Sequence, residues 1–94
     1  MKFMVSWAVE AANLEAAQER FVDKDGQYGE ATVLGQWYST NGVSGWSLIE
    51  AEDAVALNCW TEAWADILNI GMIAPVVEGQ ELAAFLAKKI KRVS

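Results

Sequence analysis

Four uncharged polar side chains, Ser6, Gln36, Tyr38 and Ser47, stand in stretches that otherwise read as apolar strands. Gathered on one sheet face, such hydroxyl and amide groups can orient a small ligand, because binding pockets are mostly apolar with a few placed polar groups. The competing reading is that the four satisfy one another or sit at a wet rim. Strand alternation is expected to point them away from the helices, with Gly35, Trp37, Trp46 and Leu48 on the helix side. Other reactive groups read as structural. Glu50, Glu52 and Asp53 could form an acid–base pair, but carboxylates before a helix are usually caps. Cys59 has no basic neighbour in sequence to activate its thiol and is expected to be buried and inert. Trp60 and Trp64, one helical turn apart, are expected in the core rather than as a stacking platform. The chain has no histidine, which excludes Ser-His-Asp and Cys-His nucleophiles, histidine-ligated haem and the usual zinc sites. No metal site or cofactor is expected.

The elements that must hold these residues centre on Thr32 to Ala51. Val33, Leu34, Trp37 and Tyr38 precede Asn41-Gly42, and Trp46, Leu48 and Ile49 follow. Two strands around a type I′ turn at Asn41-Gly42 are predicted. Lys2 to Val9 is a further strand, apolar on both faces. Ala11 to Val22 is helical, with Leu14, Ala17 and Phe21 on one face and Asn13 as its cap. Asp23 to Ala31 is a polar loop. Its Asp23-Lys24-Asp25-Gly26 start fails the calcium-loop pattern, since Gly comes at the fourth position and Leu34 occupies the twelfth. Asp53 to Leu68 forms a helix with Leu57, Trp60, Trp64 and Leu68 on its apolar stripe. Ile70 to Val77 is a strand in which Pro75, lacking an N–H, requires an edge or a strand end. Glu81 to Arg92 is a third helix striped with Leu82, Phe85, Leu86 and Ile90.

The order β-α-β-β-α-β plus a C-terminal helix predicts an α+β, ferredoxin-like fold. Its four-stranded antiparallel sheet carries helices on one face, with the first and third strands central. The 94 residues suffice for a single domain, residues 1–94. Whichever parity is chosen, the face opposite the helices offers Phe3, Val5 and Trp7 or Met4 and Ala8, and so stays apolar. An uncovered face of that character implies a partner, and two such sheets stacked face to face give a homodimer with a cavity for a small apolar ligand between them.

Composition limits the partners. Apolar residues make up 53% of the chain and five are Trp, more than one small core needs. The net charge is −6, yet four of the seven basic residues, Lys88, Lys89, Lys91 and Arg92, fall in the last seven positions. Residues 1–87 thus carry three basic against thirteen acidic side chains, a surface that repels phosphate backbones and argues against nucleic acid. The basic end suits the negative pole of a helix. No apolar run is long enough to span a membrane, and the first residues lack the apolar centre of a signal peptide. With one cysteine and therefore no internal disulfide, a cytoplasmic location is expected.

Four segments carry a family resemblance: MKFMVSW at the start, LGQWYS at Leu34–Ser39, GWSLIEAED at Gly45–Asp53, and APVV at Ala74–Val77. Together they resemble a bacterial family of small uncharacterised proteins in the ferredoxin-like dimeric α/β-barrel group. The resemblance covers nearly the whole chain and implies a sheet-to-sheet dimer, but no activity and no catalytic residues. Gln36 and Tyr38 depart from it, standing where the family pattern has a basic residue and often a histidine. Two function classes follow. One is a dimeric binding or interaction module. The alternative is a cofactor-independent oxygenase- or isomerase-like enzyme acting on a small aromatic or quinone-like metabolite, which rests on fold analogy.

Overall fold

The strands and helices expected from the sequence occur in that order in the computed structural model, which describes residues 1–24 and 29–93. They are β1 (Lys2–Ala8), a 3-10 turn (Ala11–Asn13), α1 (Leu14–Lys24), β2 (Thr32–Tyr38), β3 (Ser44–Glu50), α2 (Ala54–Trp64), β4 (Asn69–Val76) and α3 (Gly79–Val93). The sheet order is β2-β3-β1-β4 and every pairing is antiparallel. This is an α+β fold consistent with the ferredoxin-like arrangement, with Pro75 on an edge strand where its missing N–H costs least. Residues 25–28, within the polar loop tested for calcium ligands, lie outside the described residues.

The β2–β3 turn differs from expectation. The strands end at Tyr38 and restart at Ser44, leaving a five-residue connection rather than a two-residue one. Gly42 N donates to Ser39 O, and Gly42 takes φ 78°, so Thr40 and Asn41 form the bend and Gly42 closes it in the left-handed region. Asn41 Oδ1 accepts from Val43 N and from Ser39 Oγ, side-chain bonds that suit a longer loop better than a type I′ centre.

One sheet face carries the core. Phe3, Val5 and Trp7 of β1 and Ile49 of β3 are buried against Ala17 of α1 and Leu57, Trp60 and Trp64 of α2. Asp53 caps α2 as expected, its Oδ1 accepting from Ala56 N at 2.8 Å. Asn13 instead closes the 3-10 turn, and α1 begins one residue later. The half-buried Cys59 thiol donates to Ala56 O and is free of disulfide.

Arg20 fastens α1 to the end of α2. Its guanidinium donates to both carboxylate oxygens of Asp66 at 2.8 Å and to Ala63 O, and lies 5.4 Å from the Trp64 ring centroid. Hydrogen bonding from Arg20 holds the Asp66 carboxyl below its ordinary range. A carboxylate with a lowered folded pKa contributes stability above its unfolded value and loses it as pH falls through the folded value. The melting-temperature gap between the native chain and Asp66→Asn is therefore expected to hold above about pH 5 and to narrow steadily as the medium is acidified below the ordinary carboxylate range, as thermal melts across pH will read. A gap that does not narrow at any point on acidification would show that the ion pair contributes nothing.

The C-terminal helix departs most from expectation. Leu82, Phe85, Leu86 and Ile90, the stripe expected to cover the sheet, are 47, 62, 40 and 67% exposed. The molecule measures 58 × 28 × 19 Å with a radius of gyration of 16.1 Å, against about 12 Å for a compact chain of this length. α3 projects as an arm. α1 and α2 pack on one face of the sheet, and α3 leaves its apolar stripe uncovered.

Candidate functional site

Register decides which side chains meet. Across β1 and β3, Phe3 pairs with Ile49, Val5 with Ser47 and Trp7 with Gly45, all on the helix side. Gln36 then pairs with Ser47 and Tyr38 with Gly45, so Gln36, Tyr38 and Ser47 also face the helices. Trp37 lies opposite Trp46, and Gly35 opposite Leu48, on the open face. This reverses the expected parity on both strands. The β2 register shifts between Val33 and Gly35, and an irregularity of one residue flips every side chain beyond it. On β3 the inward positions beyond Ile49 go to the small Ser47 and Gly45, which make room for Trp7.

The consequence is a cavity of about 370 Å³ between the helices and the sheet, near the β2–β3 turn. That volume lies within the range of small-molecule sites. Trp7, Phe21, Tyr38, Trp60 and Trp64 give it aromatic walls, with Leu14, Ala17 and Leu68 alongside. Tyr38 stands edge-on to Trp7 at 5.4 Å and to Phe21 at 5.7 Å between ring centroids, a geometry favoured by the ring quadrupoles. Its polar lining consists of Gln18, Gln36 and Tyr38. Tyr38 Oη donates to Gln36 Oε1 at 2.8 Å. With that oxygen engaged, the two N–H donors of the Gln36 amide are oriented as a pair. No Asp, Glu, Lys or Arg lines the cavity among the described residues. Uncharged walls suit a neutral ligand, since an ion would enter without a counter-charge.

Of the four sequence candidates, Gln36 and Tyr38 line this cavity. Ser47 is fully buried behind it, its Oγ accepting from Trp7 Nε1 at 3.2 Å and so fixing the indole that forms one wall. Ser6 is on the other face, where its Oγ accepts from Met72 N at the β1–β4 irregularity. Trp7, Phe21 and Gln18 were not singled out as site residues by the sequence. One signal for Trp7 was available. Gly45 in a strand marks a close approach, and a Cβ there would collide with the Trp7 ring and the Trp37 carbonyl.

The open face carries a second feature. Met4, Trp37 and Trp46 border a shallow groove, and Trp37 and Trp46 are each about half exposed. No group of three or more metal-ligating residues occurs among the described residues. Among them, also, no helix is long and apolar enough to cross a membrane.

The chain belongs to the DUF3303 family, a domain of unknown function whose profile matches residues 1–90. No curated protein and no solved structure matches it.

Proposed function

We propose that this member of the DUF3303 family is a non-catalytic binding module for a small, neutral, aromatic ligand bearing a hydrogen-bond acceptor. The observation that carries this reading is the aromatic cavity beneath α1 with Gln36 and Tyr38 joined on its wall. The rings stack on or edge against the ligand, and the Gln36 amide donates to its carbonyl or hydroxyl oxygen. Ser47 acts one step back, by holding Trp7. Tyr38 is the one titratable side chain along the walls among the described residues, so the lining favours binding over acid–base turnover. In the same reading the open sheet face, with Met4, Trp37, Trp46 and Leu48, packs on a second copy in a cytoplasmic homodimer.

The test of the ligand site compares 1-tetralone with tetralin, two bicyclic aromatic molecules that differ by one carbonyl. Calorimetric titration is expected to give tetralone roughly 5- to 10-fold tighter binding, the worth of one net hydrogen bond. Gln36→Leu should erase that difference, and Tyr38→Phe should weaken tetralone while leaving stability within ~1 kcal/mol. Equal binding of both molecules to the native chain, or binding of neither, overturns the assignment. The homodimer predicts sedimentation at twice the 10.3 kDa chain mass.

A further inference from the structure

The exposed arm α3 differs from the body in charge as well as in position. Residues 1–78 carry twelve acidic and three basic side chains, a net −9, whereas residues 79–94 carry one acidic and four basic, a net +3. An amphipathic helix with an uncovered apolar stripe and a basic C-terminal half is thus attached to a strongly acidic body. Its first turn is fixed on the open-face side. Lys2, which shares a sheet face with Met4, donates to Glu78 Oε1 at 2.6 Å and lies 3.8 Å from Glu81.

We infer that α3 clasps the body of a second copy of this chain, its Leu82, Phe85, Leu86 and Ile90 stripe packing on the partner and its lysines meeting the partner's acidic surface. The inference rests on the sheet-face homodimer proposed above and supplies what that dimer lacks in area. Four strands of about seven residues span roughly 19 by 23 Å, so stacking two sheets alone buries only about 900 Å² in total. Stable interfaces bury about 1,200–2,000 Å². A 15-residue helix is about 22 Å long and about 10 Å wide, and two arms docked reciprocally add a comparable area again, which brings the total into that range. Stacked sheets lie about 10 Å apart, well within the reach of each arm. A second copy offers the +3 arm a −9 body of opposite sign together with an apolar sheet face, an area that a nucleic acid does not supply against the repulsion of the chain's own −9 body.

Sedimentation equilibrium of the full chain is the test, with variants on each surface. Phe85→Glu combined with Leu86→Glu is expected to raise the dimer dissociation constant at least ~100-fold. Both side chains are exposed, so the variant's circular dichroism should remain that of the folded chain. In a dimer mixed from isotope-labelled and unlabelled chains, a zero-length carboxylate–amine cross-linker should join Lys88 or Lys89 of one chain to a body carboxylate of the other. An unchanged dissociation constant in the double variant, or cross-links confined within one chain, overturns the clasp while leaving a sheet-face dimer intact. If Trp46→Glu leaves the dimer unchanged and the arm variant breaks it, the sheet-face reading fails and, with it, the clasp as an addition to that interface. A monomeric native chain overturns both.

Discussion

Trp64→Ala is expected to cost ~3–5 kcal/mol, the penalty of truncating a large buried aromatic. The side chain is 4% exposed, its ring centroid lies 6.3 Å from that of Trp60, and the Arg20 guanidinium sits over it. Removing the indole therefore leaves a hole that joins the existing cavity and strips the apolar support from the Arg20–Asp66 fastening. Domains of this size hold only about 5–15 kcal/mol in reserve and small ones sit near the lower bound. The variant should be largely unfolded, or melt far below the native chain in urea or heat. A variant with an unchanged melting temperature would place Trp64 outside the core.

Gly45→Ala is expected to cost about 1–3 kcal/mol, the range for an added methyl group in a packed interior. At a permissive site the same change stabilises by reducing unfolded-state entropy, so the sign is informative. At Gly45 the new methyl meets the Trp37 carbonyl, which is backbone of the paired strand, and the Trp7 ring, which is pinned by Ser47. Neither yields without disturbing the sheet or the cavity wall. Tetralone binding should fall along with stability. Gly79→Ala, with nothing within 4 Å of the added carbon, serves as the contrast and should be neutral or stabilising. Equal stabilities for the two variants would mean that Trp7 does not lie against β3 as described.

Element order and the buried stripe of α2 were legible because both rest on local signals. Alternation in Phe3, Val5 and Trp7, helical spacing of Leu57, Trp60 and Trp64, and an acid at the N-cap all act within a few residues. Face assignment was not legible, for a physical reason. The open face holds Trp37, Trp46 and Leu48 while the buried face holds Ser47 and Gly45, so hydrophobicity points the wrong way. Burial of Ser47 is repaid by the Trp7 indole, a tertiary contact 40 residues away that no local pattern encodes. The β2 irregularity compounds this, since it moves Gln36 and Tyr38 together to the helix side of the sheet, where Tyr38 stays about half exposed at the cavity rim. The α3 stripe was legible as amphipathic, but amphipathicity states only that something covers it. The sequence could not distinguish the chain's own sheet from a second copy.

The site's central claim is that a neutral aromatic ligand enters beneath α1, between the helices and the sheet. Intermolecular nuclear Overhauser contacts from bound 1-tetralone test it most directly. Tetralone protons are predicted to contact the rings of Trp7, Phe21 and Tyr38 and the Gln36 amide, with none to Trp37 or Trp46. Contacts to Trp37, Trp46 and Met4 instead would place the ligand on the open sheet face and contradict the assignment.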